Sequence, residues 1–229
     1  VNLIAILSWY DEQAAWLAGV VASLAKLEVN HLIAVDGAYA LYPKGRPYSG
    51  AEQHQTIVTT ARALDIGCTI STPREVWFGN EVEKRNHAFA LAETVAEPNI
   101  DWYFIIDADT FVTNGGVWRQ HVERSGADVA EVTFREPYGS IDTACGLRCM
   151  FRAIPGLRFD RAHFIYRTPD GRDLHDNGIE VLPLPMIEVE HRTMDRDPYR
   201  KELQNAYYKR RDELGVEIPD PVRTNVAQA

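Results

Sequence analysis

Cysteine is scarce in this chain: Cys68, Cys145 and Cys149 are the only three among 229 residues. An odd number cannot all pair within one molecule, and none has metal-site spacing with a histidine. Reduced thiols are expected. Long apolar runs are also missing. None approaches the ~18 residues of a membrane span, and the opening VNLIAILSWYDE carries neither a basic n-region nor a cleavage site. The chain reads as soluble and cytoplasmic. The glycine patterns that cradle phosphates are absent too. Neither G-x-G-x-x-G nor G-x-x-x-x-G-K-[ST] follows the first apolar run, so dinucleotide and P-loop readings lack their turn. Basic residues are in deficit, 24 Lys+Arg against 33 Asp+Glu for a net charge of −9. That argues against a broad phosphate-binding face, though the C-terminal segment can still supply a local basic groove.

What is present is an ordinary globular composition, 45% hydrophobic and 25% charged, which excludes disorder and fibre. The length suits one large domain. Leu3-Ile4-Ala5-Ile6-Leu7 is a continuous apolar run, as expected of a strand buried on both faces, and it ends at Ser8. Asp11 is placed to cap a helix over about 11–26. Leu32 to Val35 is a second buried run, closed by Asp36-Gly37, and 38–50 reads as a long Pro/Gly/Tyr loop containing Tyr42-Pro43-Lys44-Gly45-Arg46-Pro47. Helical periodicity returns over 52–64, followed by a short strand at 68–70; Asn80 is placed to cap a helix over about 80–96. Trp102 to Ile106 is the fourth apolar run, stopping at Asp107. Strands alternating with helices predict an α/β fold with a mostly parallel sheet and helices on both faces. Beyond Asp109, strand-like runs at 129–134, 147–151, 163–166 and 186–189 predict a mixed, partly antiparallel second half. Pro198 opens a polar helix.

Ligands of open parallel sheets bind outside the carboxyl ends of the strands, where Ser8-Trp9-Tyr10-Asp11, Asp36-Gly37 and Asp107-Ala108-Asp109 fall. Two carboxylates at i and i+2 off a buried strand repel one another, and a divalent cation removes that cost. Oxygen ligands suit Mg²⁺ or Mn²⁺, which keep positions open for phosphate oxygens. Trp77-Phe78-Gly79 offers aromatic material for sugar stacking or, more simply, for packing.

Asp107-Ala108-Asp109 after an apolar strand, with Asp36 ending the second strand, resembles the GT-A nucleotide-sugar fold of family 2 glycosyltransferases. Lys84-Arg85-Asn86 is similar to that family's A-R-N segment. Met150-Phe151-Arg152-Ala153-Ile154-Pro155-Gly156-Leu157-Arg158-Phe159 resembles its L-F-R-N-x-P-G-I-R-F stretch, and Glu190-His191-Arg192 with the basic, Tyr-rich helix behind it resembles its closing segments. The resemblance spans roughly 3–214. It implies one GT-A type, Rossmann-like domain with a nucleotide-binding half at 1–110, an acceptor-side half at 111–195, a basic helix at 196–215 and a tail at 216–229.

Carried over residue by residue, the resemblance implies a metal-dependent transfer of a hexose from a nucleoside-diphosphate sugar, foremost a UDP-sugar, to an acceptor hydroxyl, with inversion. Asp36 and Gly37 bind base or ribose, with Ser8 and Tyr10 near the same nucleotide. Lys84, Arg85 and Asn86 face the diphosphate. Asp109 ligates Mn²⁺ or Mg²⁺, Asp107 and Ala108 stand against ribose or the metal, His191 completes the metal shell, and Arg192 serves the leaving group. The acceptor is open among a modified nucleic-acid base, a protein, a glycan and a small molecule.

Departures from the family bear on the chemistry. Where it often reads R-V-H-E, this chain has Arg161-Ala162-His163-Phe164, and Phe164 cannot be a base. The proton acceptor is then sought at Asp176, Asp142 or Glu180. Two other classes compete. Asp107-Ala108-Asp109-Thr110 also resembles the D-x-D-x-T opening of haloacid-dehalogenase-type phosphatases, although that motif follows a first strand and here three strand–helix elements precede it. The missing glutamate also admits a non-catalytic sugar- or nucleotide-binding module.

Overall fold

The computed structural model describes residues 1–42, 46–77, 81–138, 141–160, 165–192 and 195–213. Phe164, Asn80, Phe78 and Gly79 lie outside them, as do 43–45 of the long loop after β2.

The first half alternates as the apolar runs require: β1 (Leu3–Ser8), α1 (Ala14–Ser23) with a 3-10 turn (Leu24–Leu27), β2 (His31–Val35), α2 (Ala51–Ala63), β3 (Gly67–Ser71), α3 (Val82–Glu93) and β4 (Trp102–Asp107). These four strands run parallel in the order β3-β2-β1-β4. Each face of β1 feeds a different core. Leu3, Ala5 and Leu7 pack with Leu17, Val20 and Trp118 on one side; Ile4 and Ile6 pack with Phe89 and Tyr103 on the other. That two-sided burial is why the strand reads as an unbroken apolar run.

The remaining strands extend the same sheet: β5 (Thr110–Asn114), β6 (Val129–Tyr138), β7 (Ile141–Arg152) and β10 (Val181–His191) complete the order β3-β2-β1-β4-β7-β6-β10-β5. β7 is antiparallel to β4 and β6, while β10 is parallel to β6 and antiparallel to β5. A two-stranded sheet of β8 (Arg158–Phe159) and β9 (Tyr166–Arg167) sits apart, α4 (Arg119–Arg124) lies between β5 and β6, and α5 (Pro198–Glu213) closes the described chain. The molecule is α/β with one large mixed sheet, its first half parallel and its second partly antiparallel.

Several expectations change in detail. Asp11 does not cap α1. It sits at φ 49° in a left-handed turn, its amide donates to Ser49 Oγ at 2.7 Å, and Gln13 holds the cap position. β5 follows Asp109 almost at once, a strand that periodicity did not reveal. β6, β7 and β10 are longer than their apolar runs because they alternate polar and apolar residues beyond them.

Candidate active site

The order β2-β1-β4 contains a switch point: the chain leaves β1 in one direction for β2 and β3, then returns to its other side for β4. Open sheets bind ligands in the crevice at the carboxyl ends there. A cavity of about 630 Å³ lies at that place, and Ser8, Tyr10, Asp107, Ala108 and Asp109 form its floor at the ends of β1 and β4. α3 contributes Lys84 and Arg85, β6 and β10 contribute Glu136 and His191, and α5 closes the side with Arg200, Gln204 and Tyr208.

Three cations meet the acid pair. Arg85 Nη2 donates to Asp107 Oδ1 at 3.0 Å and to Glu81 Oε2 at 3.3 Å. Burial works against the charge of Arg85, but Asp107 and Glu81 more than offset it. Arg196 Nη1 donates to Asp109 Oδ2 at 2.8 Å, and His191 Nε2 stands 3.2 Å from the same oxygen. The other ring nitrogen, Nδ1, is 2.8 Å from Glu136 Oε1. Burial alone would lower the His191 pKa; the flanking Asp109 and Glu136 carboxylates outweigh it and push it up to about 9.

Behind this layer stands a residue that the sequence did not mark. Glu12, 1% exposed, holds Arg196 through Nε at 3.2 Å and through Nη2, and takes Arg200 Nε at 2.8 Å. One carboxylate thus seats two guanidiniums at the cavity wall, where paired N–H donors suit phosphate oxygens. Arg200 Nη1 is buried and has no hydrogen-bond partner among the described residues. The aromatic lining beside it comes from Tyr10 and Tyr42, stacked at 5.4 Å, with Arg200 Cζ 5.6 Å from the Tyr42 centroid.

Several expected residues sit elsewhere. Asp36 is fully buried and outside the cavity lining. Its Oδ1 accepts from the Gly37 amide (2.6 Å) and Ser49 Oγ (2.7 Å), and its Oδ2 accepts from the Ser49 amide and lies 2.8 Å from His54 Nε2. With those partners it ties the loop after β2 to the strand end. Gly37, at φ 122°, lies under Trp77, whose Nε1 would stand 2.4 Å from an added Cβ; this indole donates to Asp36 O, so Trp77 packs and does not present a stacking face. Lys84 lines the cavity, but its Nζ donates to Trp9 O at 2.6 Å and Gly37 O at 2.9 Å, joining the ends of β1 and β2. Desolvation lowers its pKa to about 7, against the pull of Asp36 and Glu81. Asn86 is outside the lining as well, its amide clamping the Phe159 backbone at 3.0 and 2.7 Å.

The acceptor-side expectations are also redrawn. Asp176 is exposed on the loop before β10 and accepts from the Gly178 amide, and Glu180 is exposed near it; neither lines the cavity. The Asp142 side chain lies outside the described residues. Arg192 turns away to Glu190 and the Phe111 ring, with Cζ 4.7 Å from that centroid. Arg196, just before α5, and Arg200, in its first turn, take the wall. Glu136 is the carboxylate on the β6 side of the cavity that residue spacing missed. It lies in a strand whose alternation, Phe134 and Glu136 on one face, was its available signal.

The donor atoms can be compared with what a divalent cation needs. Among the described residues no group of three or more His, Cys, Asp or Glu side chains is arranged to hold a metal ion. Asp109 Oδ2 and His191 Nε2, 3.2 Å apart, nevertheless match neighbouring ligand positions on an octahedral ion with bonds of about 2.1 Å. Mg²⁺ is commonly held by one or two protein groups plus substrate phosphates. The pair fits such a two-donor site once Arg196 yields the carboxylate.

No protein-family model matches the chain, and no curated protein matches it. Among solved structures, residues 1–349 of S. aureus TarS align over 62% of this chain and 38% of that one, at 17% identity and TM-score 0.44. A second S. aureus TarS structure aligns over 62% and 23%, at 18% identity and TM-score 0.45. A 4-diphosphocytidyl-2C-methyl-D-erythritol synthase aligns over 91% and 97%, at 13% identity and TM-score 0.43. The chain spans well under two thirds of the TarS chains. The fold assignment rests on the strand order and pairing above, not on these likenesses.

Proposed function

We propose that the protein is a nucleotide-sugar-dependent glycosyltransferase of GT-A type, moving a hexose from a nucleoside-diphosphate sugar, UDP foremost, to an acceptor hydroxyl with inversion. One observation carries the reading: a cavity at the β1/β4 switch point where Asp107 and Asp109 face Arg85, Arg196 and Arg200. The family resemblance of the surrounding segments supports it.

In the transfer, the bond from the anomeric carbon to the diphosphate oxygen breaks and the nucleoside diphosphate leaves with the electron pair. The acceptor oxygen bonds to that carbon and its proton passes to a carboxylate. Stabilising the departing diphosphate is the main electrostatic task. Arg196 and Arg200, preset by Glu12, are positioned for it, and Arg85 holds Asp107 in place. Asp109 and His191 would hold Mn²⁺ or Mg²⁺, which when bound neutralises diphosphate charge. Glu136 lines the β6 side of the cavity, which supports it as the carboxylate that receives the proton ahead of Asp176.

The test is thermal stabilisation by UDP-, GDP-, TDP- and ADP-sugars, with and without Mn²⁺, on wild type and Asp109→Ala. A ligand at a hundred times its Kd adds about 2.7 kcal/mol, visible as a melting shift. A shift with one nucleotide that Asp109→Ala abolishes supports the reading. No shift with any of them, in folded protein, overturns it. Phosphate release without a nucleotide would point to the phosphatase instead, and binding without turnover to a module.

A further inference from the structure

We propose that the acceptor is a compact apolar alcohol or phenol, its hydrocarbon body held against β7 and its hydroxyl turned to Glu136. This rests on the glycosyltransferase reading above and names its acceptor class. The wall that takes the acceptor begins where two strands part. β7 faces β4 at Arg152, Phe151 and Met150, opposite Trp102, Tyr103 and Phe104. β4 then runs on to Asp107, paired over Ile105 to Asp107 with β1 alone among the described strands. β7 departs where Cys149 stands unmatched between Met150, opposite Ala130, and Arg148, opposite Glu131. Such a bulge bends its strand and turns it from its neighbour. The gap so opened belongs to the cavity, lined by Ile105 and Asp107 on one side and by Leu147 and Cys149 on the other.

Phe134 and Cys145 are directly opposed across β6 and β7, and Glu136 and Leu147 each stand two residues further along on the same face. Phe134 and Leu147 are half-buried and Cys145 is exposed, so carbon and sulfur surface is open to the cavity. Burial and the Glu136 and Glu131 carboxylates push the Cys145 thiol up, which keeps it uncharged. Among the described residues, the charged groups on this wall are Glu136 and His191, 2.8 Å apart and bonded to each other. A glycan would lay several hydroxyls on atoms that offer no strong partner, and each hydroxyl buried without a hydrogen bond costs free energy. An apolar frame instead removes its own surface and that of the wall from water. Its single hydroxyl needs one strong partner, and Glu136 is that partner at the edge of the wall. The hydroxyl proton passes to Glu136 as the oxygen bonds the anomeric carbon and the nucleoside diphosphate leaves with the electron pair.

The probes are 2-naphthol and methyl α-glucoside. The reporter is alkylation of Cys145 by N-ethylmaleimide, read by peptide mass spectrometry, with half-buried Cys68 as the internal control. At about ten times its Kd, 2-naphthol is expected to slow alkylation of Cys145 about tenfold and leave Cys68 unchanged. Methyl α-glucoside at the same concentration should protect neither. Leu147→Asn should lose the protection and Leu147→Met, which conserves volume, should keep it. No protection by 2-naphthol, equal slowing of Cys68, or equal protection by the glucoside overturns the proposal; wild type alone decides this if Leu147→Asn does not fold. Transfer gives a second readout. With whichever nucleotide-sugar shifts the melting temperature, 2-naphthol should be glycosylated at least about tenfold faster than methyl α-glucoside. Preference for the glucoside, or transfer to neither probe, overturns the acceptor class and leaves the donor site standing. Protection of Cys145 without a shift by any nucleotide-sugar overturns the transferase reading and the acceptor role together.

Discussion

Asp36 and Asp109 lie at or just past the carboxyl ends of strands in one sheet, yet their surroundings give them opposite work. Asp36 meets Gly37, Ser49 and His54 inside the protein, so its loss strands buried donors. Asp36→Ala is expected to lower unfolding free energy by about 3–5 kcal/mol in urea titrations, the range for breaking a buried charged cluster. The melting shift with nucleotide-sugar should persist in whatever protein remains folded. A selective loss of that shift at full stability would return Asp36 to the nucleotide site. His191 offers a pH test. Its folded pKa, about 9, lies above an unfolded value of ~6.5, so its stabilisation is complete below ~6.5 and lost as pH rises through about 9. Lys84 runs the other way: with a folded pKa of about 7 against ~10.4 unfolded, it favours folding as pH rises. Comparing wild type with His191→Gln cancels the lysine. The stability advantage of wild type should therefore shrink between pH 6.5 and 9, and a constant difference would argue against a charged His191. Strand-end acids were readable from spacing alone. Their roles were not, because the partners that bury Asp36 lie 13 and 18 residues away, across a loop.

The element that completes the cavity is α5, and it is seated mainly by charge. Its apolar anchors are Leu203, packed with Tyr10 and Ala38, and Tyr207, 5.3 Å from the Tyr42 ring; Arg200 and the adjacent Arg196 are tied to Glu12. Glu12→Gln removes the charge that compensates two buried guanidiniums. Hydrogen exchange should then show α5 amides losing protection by at least about tenfold while β1, β2 and β4 keep theirs. Loss of protection across the whole sheet would make Glu12 a core residue rather than a tether for one helix. Pro198 and the polar composition made α5 legible as a helix, yet its seat was not, since Glu12 stands 184 residues before Arg196. The parallel half was legible because strands buried on both faces leave continuous apolar runs. β5, by contrast, owes its place to pairing with β10, a partner about 75 residues away that no local period records.

At the scale of the whole molecule, the arginines of one cavity are set in a chain of net charge −9. Arg85, Arg196 and Arg200 are each paired with carboxylates, so their charge is local and short in range rather than a patch felt from outside. Non-specific duplex binding draws its affinity from phosphate neutralisation across a broad basic face, with Kd values of about 10⁻⁴–10⁻⁶ M at physiological salt. A molecule with this balance should not reach even that range. Plain duplex DNA should go unretained in gel-shift or anisotropy titrations at 150 mM salt up to about 100 µM protein, whereas a single nucleoside diphosphate, small enough to enter the cavity, should bind. Retention of duplex at that salt, with a steep fall in affinity as salt rises, would mean that exposed cations such as Lys209 and Arg210 on the outer face of α5 form a phosphate-reading surface. The acceptor would then have to be sought on nucleic acid. Without retention, a long duplex is disfavoured, and the acceptor is expected to be a hydroxyl carried by something that approaches the cavity mouth without spreading phosphates over an acidic surface.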